Sequence, residues 1–458
     1  MFDDIKYLAC SLPEGIMCYK YGGFFDEEIA AVDRMLSSGD IITAMRRRLE
    51  LERLIALGMK EDYCVSFDDA LAKMREHIAG FEREELIALM DSGAADWHLV
   101  RGEVYFHSAF YSSVMINSPQ LHSRLTDDSE RASHAVHAAT RNRNIEIMRE
   151  RGSRSFHYRM AAWIKPDAAN ERDGEHILVH LPIPAETQNQ KNVRIIKTSP
   201  DAFISDAAQR TVSFDTIYRA GMKFYVEYEY DRTDRYFEPK PEEVSDVQPD
   251  FDTCEEAPHI IFTPYMRYLA DELAGGETNS LIVARRFYDF ITTKIKYSYM
   301  REYFELENIP EFAALNGRAD CGVQGLMFIT LCRIKGIPAK WESGFCVHTD
   351  SMDVGSHDWS MFYVAPYGWL YCDPSYGGGA WRSGDTERWN HYFCNLDPFR
   401  MAANTEFQRE FVPAKKFTRI DPYDNQIGEV EYDDRGLSTW EIDFSRSLLE
   451  AKEHQNNV

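Results

Sequence analysis

The sequence predicts an α+β fold, on three observations. Apolar residues recur with helical spacing through the first 150 positions. Period-two alternation takes over from about 152 to 230. A helix apolar on nearly every side, followed by a strand hairpin, occupies 321–375. The 458 residues suffice for roughly three domain-sized pieces and a large apolar core. A composition of 44% hydrophobic, 13% aromatic and 28% charged residues is globular and excludes a disordered or fibrous chain.

The elements follow in order. Residues 1–150 read as helical. Asp26 can cap a helix through Ile29, Val32 and Leu36 that ends before Gly39, and a second helix runs from Ile41 to about Leu57. Ser66 with Asp69 resembles a capping box before Ala70–Ile78. A long polar helix spans 118–150 and ends in Arg141, Arg143, Arg149 and Arg151, a basic cluster expected to be a solvated face or a domain contact. Residues 151–232 read as an antiparallel β domain, with strands near Phe156–Ala162, His176–Ile183, Val193–Ile196 and Met222–Tyr230. Residues 233–256 form an acidic connection containing Pro239, Pro241 and Pro249. A core dense in aromatics, glycines and cysteines fills 257–403. Residues 404–458 are a C-terminal extension with Pro413, Pro422 and one strand near Glu429–Tyr432, its last eight residues expected to fray.

Charge and cysteine usage narrow the function. Lys plus Arg total 51 against 75 Asp plus Glu, a net charge of −24, which argues against nucleic-acid and anionic-membrane binding. No apolar run reaches the roughly 18 residues of a membrane helix. The first residues, with acids at Asp3 and Asp4, do not read as a secretion signal. Nine cysteines scattered without CxxC pairs predict reduced thiols, a cytoplasmic chain and no zinc knuckle.

The chemistry concentrates after residue 317. Asp320 is placed to cap a buried helix that Gly336 and Pro338 terminate, so Cys321 opens its first turn. There, free backbone N–H groups and the helix dipole can hold a thiolate or an oxyanion. An inert core cysteine fits that position as well. His357 lies on the first strand of the hairpin, the turn is Ala365–Gly368, and Asp373 ends the return strand before Pro374. Direct opposition of His357 and Asp373 needs a hairpin centred on Ala365. Both numbers are odd, so an even pairing sum puts both side chains on one face, with a bulge to recover any offset. Taken singly, His357 could be a satisfied core histidine and Asp373 a turn residue. Together with Cys321 they supply a nucleophile, a base and an orienter.

Residues 257–400 resemble the transglutaminase-like superfamily, a papain-like fold with a Cys-His-Asp triad. The likeness rests on Cys321, Gly325 and Gly336-Ile337-Pro338-Ala339, on His357-Asp358-Trp359, and on Trp369 through Asp373-Pro374-Ser375. The upstream helix from Ala284 to Tyr297 also corresponds. The resemblance implies a thiol enzyme acting on amide bonds of peptide or protein substrates through an acyl-enzyme, with Cys321, His357 and Asp373 as its triad. It calls for no cofactor or metal. Tyr297, Tyr299 and Gln324 are the candidates for oxyanion stabilisation or shielding, and Asp320, Gly322, Trp359 and Trp369 flank the site. Departures bear on the acceptor. Crosslinking relatives tend to carry Trp after the nucleophile, where this chain has Gly322, and His-Ala-Trp is here His-Asp-Trp, with a carboxylate beside the base. Weaker shielding favours water, so hydrolysis is expected over amine transfer. A protein-glutamine amine acyltransferase and a non-catalytic binding module are the alternatives.

Weaker motifs complete the reading. Gly377–Gly379 lacks the Lys-Ser/Thr of a phosphate loop and is expected to form a mobile rim. His134 and His137 share a helix face, and His176 and His180 a strand face, without a placed metal partner. Cys332, Cys346, Cys372 and Cys394 are expected in the core, with His391 near Cys394 as a second thiol–imidazole option.

Overall fold

A computed structural model describes residues 5–420 and 424–454. Seven helices open the chain: α1 Glu14–Gly22, α2 Phe25–Ser37, α3 Thr43–Asp62, α4 Phe67–His77, α5 Arg83–Asp91, α6 Phe110–Asn117 and α7 Asp128–Arg151. Strands β1 Val65–Ser66, β2 Trp97–Val100 and β3 Glu103–Phe106 make a small sheet among them. Ser66 caps α4, accepting from the Asp69 N–H at 3.2 Å, as its spacing predicts. Asp26 is not a cap, because α2 already starts at Phe25 and leaves Asp26 in its first turn. The long polar helix is shorter than expected: Pro119–Arg124 is a 3₁₀ segment, and Asp127 caps α7. Two of the basic residues that end α7 reach neighbouring elements rather than solvent alone. Arg149 meets Glu387, and Arg151 faces Glu453 at 3.4 Å.

The β part is a pair of four-stranded antiparallel sheets. It contains β4 Ser153–Pro166, β5 His176–Pro182, β6 Gln190–Ser199, β7 Phe203–Ile204, β8 Thr211–Ile217 and β9 Phe224–Arg235. The C-terminal stretch completes both sheets instead of standing apart. β17 Glu429–Tyr432 pairs with β5, and β18 Ile442–Glu453 runs along β4. Ala451–Glu453 are therefore paired rather than frayed. Pro422 and residues 455–458, like the acids at Asp3 and Asp4, lie outside the described residues. Tyr158, Tyr228, Tyr230 and Phe214 fill the space between the sheets, and Phe345, Val347 and Met401 of the next region join the same core.

Deleting β18 would strip the outer edge of β4 and the Arg446 contact to Ser356 at 2.7 Å. A bare long edge invites intermolecular pairing. A chain ending at residue 441 is expected to aggregate and lose a cooperative melt. A soluble product with an unchanged melting curve would contradict this.

The third region holds α8 Pro264–Ala274, α9 Ser280–Lys294, β10 Lys296–Tyr297, α10 Ile309–Asn316, β11 Arg318–Ala319 and α11 Cys321–Ile334. These are followed by β12 Ala339–His348, β13 Asp353–Val364, β14 Gly368–Cys372, α12 Pro374–Arg382, α13 Thr386–His391, β15 Phe393–Cys394 and β16 Arg400–Asn404. The sheet is antiparallel with strand order β15-β14-β13-β12-β16. Leu326–Leu331 on α11 are fully buried against it, with Phe328 edge-on to Phe362 at 5.6 Å. A helix apolar on every side has no other place to sit. Gly377–Gly379 are helix interior, not a mobile rim. A Cβ on Gly377 would collide with the Tyr288 hydroxyl, so glycine permits the close packing of α12 on α9.

Candidate active site

The hairpin closes at Val364↔Gly368 and pairs Ser360 with Cys372, so it is centred on Pro366 rather than Ala365. The pairing sum stays even. Continuing that register puts His357 and Asp373 on one face as diagonal neighbours, and no bulge is needed. The imidazole Nε2 lies 2.8 Å from Asp373 Oδ2. Asp373 also caps α12, its Oδ1 accepting the Tyr376 N–H at 2.9 Å, and the Tyr376 ring stacks on His357 at 4.2 Å. With Nε2 taken by the carboxylate, Nδ1 is the nitrogen left for proton transfer.

Arg400 on β16 completes this cluster, and nothing in the linear sequence marks it. Its guanidinium lies 2.8 Å from Asp373 Oδ2 as a close ion pair and donates to Asp397 at 3.0 Å. Burial pushes the Asp373 carboxyl up, but the His357 and Arg400 charges outweigh it and hold it below the ordinary carboxylate range. The orienting group is thus an ionised carboxylate.

Cys321 opens α11, and Asp320 caps the helix, accepting the Val323 N–H at 2.8 Å. The sulfur, however, donates to Asp358 Oδ2 at 3.3 Å, and among the described residues no hydrogen bond joins it to His357. Successive strand residues point to opposite faces. Asp358 and Cys321 therefore lie on one side of β13, and His357 with Asp373 on the other. The expectation of a stabilised thiolate is corrected as well. Burial, then the charges of Asp358 and Asp320, raise the Cys321 thiol well above its usual range. The helix dipole favours a thiolate, but it loses to two adjacent carboxylates and lost solvation. Asp320 is itself raised to about 6, because burial outweighs its hydrogen bonds from Val323 and Tyr303.

The flanking candidates divide. Tyr297 and Tyr299 cross edge-on at 5.4 Å, and burial, followed by the electrostatic influence of Cys321, raises both hydroxyls, so both stay protonated. The N-terminal helical region positions them. Asn117 of α6 accepts the Tyr297 N–H at 2.9 Å, and Ser113 accepts the Tyr299 N–H at 3.0 Å. Gln324 turns away, donating to the Ala319 carbonyl at 3.0 Å. A Cβ at Gly322 would collide with the Tyr303 hydroxyl and come within 2.9 Å of both Asp358 and Trp341, so no larger residue fits there. Trp359 is buried, donating to Glu342 at 2.9 Å with Arg400 5.1 Å from its ring. Trp369 packs on Tyr363 and Phe251, away from the imidazole.

Of the remaining thiols, Cys332, Cys372 and Cys394 are pushed up by burial. His391 bonds the Leu396 carbonyl at 3.3 Å, not Cys394, and burial lowers it to about 4. Cys346 departs from the inert core role expected of it. Its sulfur lies 3.6 Å from His348 Nε2, and contacts with His348, His357 and Tyr376 outweigh burial and hold its thiol below the usual range. His176 faces Asp215 and Asp433 at the surface, whereas His180 is buried against Thr211 and Phe411. The His134 side chain lies outside the described residues.

Asp358 offers a direct handle on the thiol. Asp358→Asn removes the charge that opposes a Cys321 thiolate, so the pH midpoint for alkylation of Cys321 should fall. Alkylation rate against pH, followed by peptide mass spectrometry, measures it. An unchanged or raised midpoint would show that Asp358 does not hold the thiol protonated.

Residues 267–374 match the transglutaminase-like superfamily. No match is found among curated proteins. Among solved structures, a candidate cysteine protease from Cytophaga hutchinsonii is 14% identical, with 65% of this chain and 91% of that chain covered and a TM-score of 0.42. The periplasmic domain of TgpA from Pseudomonas aeruginosa is 13% identical, covering 54% and 94%, with a TM-score of 0.29. A candidate protease from Parabacteroides distasonis is 10% identical, covering 56% and 69%, with a TM-score of 0.20. Among the described residues, no helix is long and apolar enough to cross a membrane. The likeness to the transglutaminase-like superfamily thus covers residues 267–374, the stretch that holds Cys321, His357 and Asp373.

Proposed function

We propose that this chain is a thiol enzyme that hydrolyses amide bonds of peptide or protein substrates, with Cys321 as nucleophile, His357 as base and Asp373 as orienter. The observation that carries the proposal is the buried His357–Asp373 pair at 2.8 Å, built in a region of transglutaminase-like sequence that also places a cysteine at a helix start. In this chemistry the Cys321 sulfur gives its proton to His357 Nδ1 and attacks the amide carbon. The tetrahedral oxyanion draws on backbone N–H groups at the start of α11 and on the Tyr297 or Tyr299 hydroxyl. His357 then returns the proton to the leaving amine, and water cleaves the thioester. Because Cys321 and His357 lie on opposite sides of β13, an interior strand, the cycle requires a rearrangement that brings the sulfur and the imidazole onto one side. The state described here is then a protonated resting form. Water is preferred over an amine as acceptor because no tryptophan can follow the nucleophile at the crowded Gly322. A cytoplasmic location is part of the proposal and rests on the nine scattered cysteines.

A second reading has its own support. The Cys321–Asp358 bond and the raised thiol suit a binding module that keeps the fold without turnover. Peptide-amide hydrolysis and amine incorporation into glutamine peptides, each compared with Cys321→Ala, separate the readings. Release of product without amine uptake, lost in Cys321→Ala, is the expected result. Amine uptake would make the enzyme an acyltransferase. Equal traces from wild type and Cys321→Ala would favour the binding module.

A further inference from the structure

Outside the thiol site, α7 and the β12–β13 turn meet in a cluster of different chemistry. One ligand atom from each of His137, His348 and Asp350 lies within 4.8 Å of the others. The two imidazole rings are 4.7 Å apart, and His137 Nδ1 is 3.0 Å from Asp350 Oδ2. We propose that His137, His348 and Asp350 bind a divalent transition-metal ion of the zinc class and so tie α7 to the catalytic sheet.

Three features argue for an ion rather than a simple ion pair. The donor set is two imidazoles and one carboxylate, which suits zinc-class metals and is poor for the oxygen-seeking calcium and magnesium. The donors are also oriented from behind. The Ser133 hydroxyl lies 3.1 Å from His137 Nε2, which leaves Nδ1 toward the cluster, and Thr140 donates to Asp350 Oδ2 at 3.0 Å. Outer partners of this kind fix ring orientation and ligand basicity at metal sites. Finally, these residues line a cavity of about 10 Å³, on the scale of one ion or one water. Donors about 3–3.5 Å apart would surround an ion with bonds of about 2.0–2.2 Å, so a small closure of the three side chains suffices.

The opposing group is Arg141, one helical turn beyond His137 and lining the same cavity. Its guanidinium is engaged elsewhere, donating to the Tyr376 hydroxyl at 3.2 Å and lying 4.6 Å from that ring. The Cys346 sulfur, 3.6 Å from His348 Nε2, is a thiol neighbour that a zinc-class ion tolerates and a hard cation does not use. Because Tyr376 stacks on His357, an ion that holds α7 in place would also steady the wall behind the imidazole.

The test is a calorimetric Zn²⁺ titration of the full chain after chelator treatment. One equivalent is expected to bind and to raise the melting temperature. His137→Gln, His348→Ala and Asp350→Asn should each weaken binding at least tenfold, while circular dichroism of the metal-free variants matches wild type. Replacing the exposed Cys18, Cys64 and Cys254 by serine should leave binding intact. No binding by wild type, or binding kept in all three ligand variants, overturns the site. So does binding lost with the exposed thiols. If one ligand variant unfolds, the other two decide the outcome.

Discussion

Arg400→Leu should destabilise the chain by roughly 3–5 kcal/mol, the cost of removing one partner from a buried charge cluster. Arg400 and Asp373 are fully buried, and Asp397 is nearly so. Without the guanidinium, Asp373 keeps His357 and the Tyr376 N–H, and Asp397 keeps Tyr392, the Phe399 N–H and the Arg141 charge, as the groups that offset burial. The pH dependence has a definite sign. In the wild type, both carboxyls are held below their ordinary range, so they contribute stability above the unfolded carboxylate pKa of about 3.9, and that stability is lost only as pH falls through the depressed folded values. In the variant, burial dominates and raises them, so charging them opposes folding as pH rises. The gap between wild type and variant should therefore be widest near neutrality and shrink on acidification toward pH 4. Urea midpoints measured across this range check it. Adding Asp397→Asn to the variant should recover part of the loss, since the two sites share one network. A gap that stays constant with pH would mean that Arg400 acts through packing alone.

His357→Ala should lower amide turnover by about 10⁴-fold, the usual order for removing one member of a nucleophile–base–orienter set. The residue is buried, so the loss must be separated from misfolding. His357→Gln retains polar atoms against Asp373 and gives the cleaner comparison: a folded protein with the same deficit. Turnover in the wild type should rise with pH, because the resting thiol is held protonated. A variant that keeps its turnover while remaining folded would remove His357 from the chemistry and turn attention to the Cys346–His348 contact at 3.6 Å.

Much of this was legible in the linear chain because the signals were local. The all-round apolar helix after Asp320, the Pro-Tyr-Gly turn of the hairpin and the odd numbering of His357 and Asp373 each depend on a few adjacent residues, and each appears in the fold. What the sequence hid was long-range. Arg400 reaches Asp373 although β12 and β13 lie between β16 and β14 in the sheet, a contact that no local pattern announces. β18 is a strand because β4 offers an edge, although its own residues Asp443, Arg446 and Glu450 read as polar. The face taken by Cys321 was equally invisible. His357 and Asp358 are neighbours, one on each side of β13, and only the packing of α11 decides which of them meets the sulfur. The departure of His-Asp-Trp from His-Ala-Trp was the one local sign that a carboxylate would matter there.

The central claim is that Cys321 is the reactive thiol served by His357, and peptide-mapped labelling of all nine cysteines with an acyl electrophile tests it most directly. The account predicts that Cys321 is acylated first and that His357→Gln slows this site while leaving the exposed Cys18, Cys64 and Cys254 unchanged. Acylation of Cys346 with Cys321 untouched, or Cys321 labelling at the same rate in His357→Gln, would contradict it.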